Sequence, residues 1–149
     1  MEDIIYNKVS NLLKDIPELR DIDLDYGQLD IYETRPALAF PCVLIDIEFP
    51  RTQSLDYDKE VQQITGIITL RIAVDVIGET AIRTPVLSRN NALERFALNN
   101  LVYKKLQRYR DKEGEFDRVS QVQEKRSDGY KVTNMKFETV FLDRSATSD

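Results

Sequence analysis

Histidine and tryptophan are both absent from this 149-residue chain, and cysteine occurs once, as Cys42. The lack of histidine removes the commonest general base and metal ligand, and it excludes Ser-His-Asp and Cys-His catalysis. A single cysteine cannot form an intrachain disulfide, which fits a reducing compartment. Because Cys42 directly follows a proline inside a β-type run, we expect a buried small hydrophobic side chain rather than a nucleophile.

Glycine is also scarce, with five residues, and neither GxGxxG nor GxxxxGK[ST] occurs, so no phosphate-cradling loop is predicted. Carboxylates are plentiful. Asp21, Asp23 and Asp25 alternate along one strand face, and we interpret them as a solvated face because the later Gly and Glu of an EF-hand are missing. We therefore expect no cofactor and no metal ion. An enzyme that uses a pair of carboxylates for catalysis is the alternative.

Long hydrophobic runs are lacking as well. No stretch approaches the roughly 20 apolar residues of a membrane span. The first ten residues, MEDIIYNKVS, have acids where a signal peptide needs bases. We expect a protein that is made in the cytosol and has no membrane partner.

The charge is acidic overall and unevenly distributed. The net charge is −5, with a pI near 4.9, which disfavours tight binding to nucleic acid through phosphate neutralisation. Residues 1–60 hold 14 acids and 6 bases, and residues 61–149 hold 12 acids and 15 bases. This asymmetry is either chance scatter or a sign that copies pack head to tail through faces of opposite charge.

Hydrophobic periodicity predicts seven elements in the order α-β-β-β-α-β-β. The fold class is α+β, with a mostly antiparallel sheet of about five strands packed on two helices. Residues 1–143 form a single domain and residues 144–149 a flexible tail. The predicted elements are a helix over 2–16, strands over 21–31 and 42–49, a polar loop over 50–60, a strand over 60–78, a helix of about 22 residues capped by Ser88, and strands over 116–124 and 130–143.

The strand predicted over residues 60–78 is unusually long. Sixteen extended residues would span roughly 50 Å, more than a domain of this size needs. Either the preceding loop and the start of this strand project as a β-hairpin arm, or Gly66 breaks the strand. For the second helix, the spacing predicts one stripe with charged residues on the other side of the helix, and the stripe holds Leu93, Phe96, Ala97, Leu101, Val102, Lys105 and Leu106. Basic residues and tyrosines near the end of that helix suit its C-terminal dipole, with nucleic-acid binding as the weaker alternative.

The element order and several segments together resemble a known family. These segments are ETRPALAFPCVLIDIEF, ITGIITLRIAVDV, RNNALERFALNNLVYKKLQ and KFETVFLD. Over residues 2–143 the chain resembles the tail-completion, or tail-terminator, proteins of long-tailed bacteriophages, and it is similar to the neighbouring head–tail joining proteins of the neck. The resemblance rests on pattern and order rather than on an invariant motif.

The resemblance implies a structural virion protein without active-site residues or cofactors. It implies a homohexameric ring that caps the tail tube, docks the head-completion protein of the neck and lets DNA pass through its hole during ejection. Another assembly or adaptor domain, such as a head–tail stopper or a secretion-tube component, is the alternative. The residues expected at subunit contacts are Arg51, Thr52, Gln53, Leu55, Tyr57, Asp58, Arg83 and Arg89.

Overall fold

The fold is α+β, as the sequence predicts. A computed structural model describes residues 1–30, 38–75, 82–83, 85–112 and 114–147, without the side chains of residues 88, 89, 91 and 92. The elements are α1 (Glu2–Leu13), β1 (Asp21–Leu24), a 3-10 turn (Gln28–Asp30), β2 (Cys42–Ser54), β3 (Gln62–Val74), α2 (Val86–Gln107), β4 (Asp117–Gln123) and β5 (Lys131–Asp143).

The strands form one mixed sheet in the order β1-β2-β3-β5-β4. β1 pairs with β2 in parallel, and the other three pairs are antiparallel. β3 is central because β2 lies on one side of it and β5 pairs with its whole length, from Gln62 opposite Asp143 to Val74 opposite Lys131.

The main core lies between one face of this sheet and the two helices. Alternate residues of β3, among them Ile64, Ile68, Leu70 and Ile72, point into it and are buried. Val9 and Leu13 of α1 and Val102 and Leu106 of α2 cover them. A smaller cluster lies on the opposite face, which we call the outer face, where Phe40 stacks on Tyr130 with ring centroids 4.9 Å apart.

Four predicted boundaries are wrong. The first strand ends at Leu24 rather than Ile31, because the Asp25 carboxylate accepts a hydrogen bond from the Gly27 amide and Gly27 adopts a φ of 88°. Ile31 itself lies outside the described residues. Helix α1 stops at Leu13 rather than Ile16. Helix α2 starts at Val86, with Pro85 rather than Ser88 at its N-cap, and proline has no backbone N–H to leave unpaired at the start of a helix.

The largest boundary error concerns the loop predicted over residues 50–60. Strand β2 continues through Pro50 to Ser54. Two residues, Phe49 and Pro50, lie opposite Gly66 alone, which is a β-bulge. The bulge and the position of β2 beside only short β1 let the proline sit in the strand without losing a ladder hydrogen bond.

Gly66 does not break β3. A Cβ atom at this position would lie 3.2 Å from Cγ2 of Thr139 and close to the rings of Phe141 and Phe49. Those two rings meet edge to face at 5.6 Å. The glycine therefore makes room for an aromatic pair. A separate projecting arm is not confirmed, because β5 accompanies the β2–β3 hairpin along the whole of β3.

Candidate assembly surface

The β2–β3 hairpin ends in a short ordered turn that we call the hairpin tip, residues 55–61. The Leu55 amide donates to the Val61 carbonyl at 2.9 Å, and the Val61 amide donates to Oδ1 of Asp56 at 3.1 Å. Lys59 takes a φ of 60° to close the turn. Two apolar side chains point away from the protein, since Tyr57 is 99% exposed and Leu55 51%. A fixed turn with an exposed tyrosine suits a contact with another protein chain.

Arg51, Thr52 and Gln53 lie beside the tip but in strand β2, not in a loop as predicted. All three are exposed. β1 pairs only with Cys42–Ile45, so the outer edge of β2 beyond Ile45 has no strand partner among the described residues. The structure thus brings six of the eight predicted contact residues together, because Leu55, Tyr57 and Asp58 belong to the tip.

A second exposed apolar region lies on α2. The predicted stripe is confirmed only in part: Val102 and Leu106 are buried, but Phe96 and Leu101 are exposed, and Leu98 and Asn99 are buried instead. Among residues 86–97 no side chain that the structure describes is buried. We call this segment the uncovered half of α2. It exposes Val86 by 61%, Leu87 by 75% and Phe96 by 42%.

This uncovered half lies at the end of the sheet opposite the hairpin tip. Arg95 of α2 hydrogen-bonds Gln123, which pairs with Thr133, and Thr133 pairs with Ile72. Ile72 is ten residues along β3 from Gln62, which is about 33 Å of extended chain. Arg83 is exposed just before α2, and Arg89 lies in its first turns with a side chain outside the described part. The structure therefore separates these two arginines from the other six predicted contact residues.

A half-buried ion network on the outer face was not predicted from the sequence. Arg71 of β3 contacts Glu124 at 2.9 Å, Asp30 at 3.1 Å and Asp25 at 3.5 Å. Arg126 contacts Asp30 and Glu124 as well, at 3.0 and 2.7 Å. The Arg71 and Arg126 side chains are 12% and 9% exposed. The network fastens the 3-10 turn and the β4–β5 connection to the centre of the sheet.

The charges of this network shift the pKa values of its members. Burial alone would raise the pKa of Asp30 and of Glu124, but hydrogen bonds from the two guanidinium groups outweigh it and lower both. The hydrogen bond from Arg126 lowers the pKa of Asp128. These carboxylates are therefore held in the ionised form. The sequence signal for the network was Arg71, the one charged residue in strand β3.

Burial and contacts within the protein account for Cys42 and for two aspartates at the first strand. Cys42 is buried, as predicted, and burial raises its pKa to about 12, so the thiol is not a reactive thiolate at neutral pH. Asp25 joins the ion network, and Asp23 accepts a hydrogen bond from the Leu24 amide. Within the described residues, no cluster of three or more Cys, Asp or Glu side chains is arranged to hold a metal ion.

A cavity of about 490 Å³ opens between the start of α1, the α2–β4 connection and the end of β5. Ile5, Phe116 and Phe141 contribute apolar walls. At its rim, Lys8 forms a salt bridge with Asp111 at 2.7 Å. Gly114 packs against the β5 backbone, where a Cβ would lie 3.0 Å from the Val140 carbonyl oxygen. The cavity is of the size that small ligands or inserted side chains occupy.

In the part of the chain that the structure describes, no helix is both long and apolar enough to cross a bilayer. No profile of a known protein family matches the chain, and a search of curated proteins found no significant match.

Proposed function

We propose that this protein is a structural subunit of a bacteriophage tail that forms a ring, caps the tail tube and joins it to the head. In this proposal it acts through assembly rather than through catalysis, and it resides in the virion at the neck. Its partners are further copies of itself, the tail-tube protein and the head-completion protein. DNA passes through the ring without specific contacts.

The observation that carries this proposal is the exposure of large apolar side chains at both ends of one rigid sheet. Tyr57 and Leu55 are exposed at the hairpin tip, and Val86 and Leu87 on the uncovered half of α2. Exposed groups of apolar residues on a globular domain mark surfaces that other proteins cover. Two such surfaces at opposite ends let each subunit contact two neighbours, which a ring requires.

The fold and the charge support the same proposal. The resemblance to tail-terminator proteins rests on the order of elements, and the structure has that order, with a mostly antiparallel sheet on two helices. The net charge of −5 suits a channel that must release DNA, because phosphates are repelled rather than held.

The mass of the purified protein in solution is the first test. Light scattering at two concentrations and two salt levels should give a multiple of the 17.3 kDa protomer mass, near six, with rings visible by electron microscopy. The same measurement is repeated after co-expression with a tail-tube protein of a long-tailed bacteriophage. A protein that stays monomeric and binds no tube in either experiment would refute the proposal and favour an adaptor that binds a single partner.

A further inference from the structure

The two exposed apolar surfaces also carry opposite charge. The hairpin tip contains three acids, Asp56, Asp58 and Glu60, against one base, Lys59, for a net charge of −2. Residues 82–97 contain three arginines, at positions 83, 89 and 95, against Glu94, for a sequence net charge of +2, and the Arg83 side chain is exposed. Each surface thus combines exposed apolar side chains with charges that match those of the other, as the two sides of an interface do.

The two surfaces cannot meet within one protomer. The tip is at the Gln62 end of β3, and the uncovered half of α2 lies over the Ile72 end, about 33 Å away along a rigid strand. A contact between complementary surfaces at opposite ends of a molecule is heterologous, and it generates a ring when the rotation closes.

Helix α2 is also longer than its own core needs. Its 22 residues extend about 33 Å, and among the side chains that the structure describes the first buried one is Leu98, twelve residues into the helix. Most helical stability in proteins comes from packing an apolar face. Among the described side chains of residues 86–97 none is fully buried and only Leu93 and Arg95 are half-buried, so Val86, Leu87 and Phe96 leave apolar surface that a partner can cover.

We infer that the hairpin tip of one copy docks on the uncovered half of α2 of the next copy, with Tyr57 and Leu55 against Val86 and Leu87 and with Asp58 facing Arg83. This inference rests on the proposed function, because it names the contact that would join neighbouring subunits of the ring. It specifies a second copy of this chain as the occupant of both surfaces.

Mixing two variants, each with one of the two contact surfaces disrupted, tests the contact directly. Tyr57→Ala removes the aromatic side chain of the hairpin tip and leaves the α2 surface intact. Leu87→Asp places a charge in the α2 surface and leaves the hairpin tip intact. The dissociation constant for self-association of each variant alone should rise by at least about thirtyfold, as expected when a hot-spot residue is lost. Each variant should therefore be monomeric at concentrations where the wild type assembles. Their mixture should give a 1:1 dimer of twice 17.3 kDa that does not grow further.

Charge exchange gives a second, independent readout. Asp58→Arg and Arg83→Glu should each weaken association by about twofold to fivefold, the range of an exposed ion pair, and more at low salt. The double variant should recover wild-type association. Failure of the double variant to recover any association would contradict the pairing of these two residues.

Matched controls separate surface effects from folding. Tyr26, 71% exposed beyond β1, and Val122, 62% exposed on β4, are comparable apolar side chains outside both surfaces. Tyr26→Ala and Val122→Asp should assemble as the wild type does, and all variants should unfold at the wild-type temperature.

The outcomes distinguish this inference from the proposed function. Rings that form normally with Tyr57→Ala or Leu87→Asp, or a mixture that stays monomeric, would overturn the tip-to-α2 contact and leave the ring proposal standing. A wild-type chain that is monomeric both alone and with the tail-tube protein would overturn both.

Discussion

The Arg71→Met substitution tests whether the half-buried ion network holds residues 25–30 against the sheet. Methionine keeps the apolar length of the arginine side chain and removes its charge. Arg71 donates to both carboxylate oxygens of Glu124, at 2.9 and 3.1 Å, and to Asp30 at 3.1 Å. The substitution would leave these carboxylates without one of their two guanidinium partners.

The expected loss of stability follows from the burial of each partner. Removing one member of a fully buried ion pair costs about 3–5 kcal/mol. Here Glu124 keeps Arg126 at 2.7 Å, and the Asp30 side chain is 46% exposed, so water takes over part of the lost interaction. We expect a loss of about 2–3 kcal/mol, which for a chain of this size lowers the melting temperature by about 5–10 °C.

Urea unfolding followed by circular dichroism measures this loss. Lys136→Met is the matched control, because Lys136 is an exposed cation on the same face of neighbouring β5 and takes no part in the network. The control should change stability by less than about 0.5 kcal/mol. If Arg71→Met lowered the free energy of unfolding no more than Lys136→Met does, the network would not stabilise the fold as the contacts indicate.

The pH dependence of stability provides a second test of the network, because the direction of the change can be predicted. The pKa values of Asp30 and Glu124 are lowered in the folded state from ordinary values of 3.8 and 4.5. Their contribution to stability is therefore fully present above those ordinary values and is lost as the pH falls through the folded-state values. The stability gap between wild type and Arg71→Met should be constant from pH 6 to 8 and should narrow below about pH 4. A gap that widened in acid would contradict this.

Three further predictions concern the core. Gly66→Val should destabilise the protein by about 1–3 kcal/mol in urea unfolding, because its Cβ would press on Thr139 where space is already tight, and Gly66→Ala should cost less. Asn99→Ala should cost about 1–3 kcal/mol by thermal unfolding, since the buried hydroxyl of Thr133 would lose its 3.0 Å hydrogen bond, and a neutral result would argue against that bond. Cys42 should react with a thiol reagent at pH 8 only after denaturation, because the folded thiol is buried and its pKa is about 12; fast labelling of the native protein would refute this.

The strands and their order could be predicted because alternation records which face of a strand is buried. Ile64, Ile68, Leu70 and Ile72 lie on the core face, as their spacing indicates. Asp128-Gly129 likewise predicts the β4–β5 connection, where Gly129 adopts a φ of 89°.

Other features depend on contacts that a local pattern does not contain. Pro50 looks like a strand terminator, but an edge position and a bulge accommodate it within β2. The stripe predicted on α2 begins at Leu93, whereas the buried positions among the described side chains of this helix begin at Leu98. Arg71 and Glu124 are 53 positions apart, so only the folded sheet brings them together.

Of the predicted contact residues, the six between positions 51 and 58 cluster because they are neighbours in one hairpin. Their separation from Arg83 depends on the course of β3 and α2, which local sequence does not define. The flexibility expected of residues 144–149 stays a prediction. Residues 144–147 form a turn in which the Thr147 amide donates to the Arg144 carbonyl at 3.0 Å, and residues 148–149 lie outside the described range.

The central position of β3 has a consequence for synthesis on the ribosome. β2 and β3 are adjacent in the chain and can pair as soon as both have emerged, but the other edge of β3 pairs with β5, which ends at Asp143. Residues 75–143, 69 in all, must be translated first, which takes roughly 3–14 s at bacterial and eukaryotic elongation rates. Throughout that interval the nascent chain exposes the unpaired edge of β3. When several ribosomes translate one mRNA, such edges lie close together, so the nascent chains are then most prone to aggregate and most dependent on chaperones.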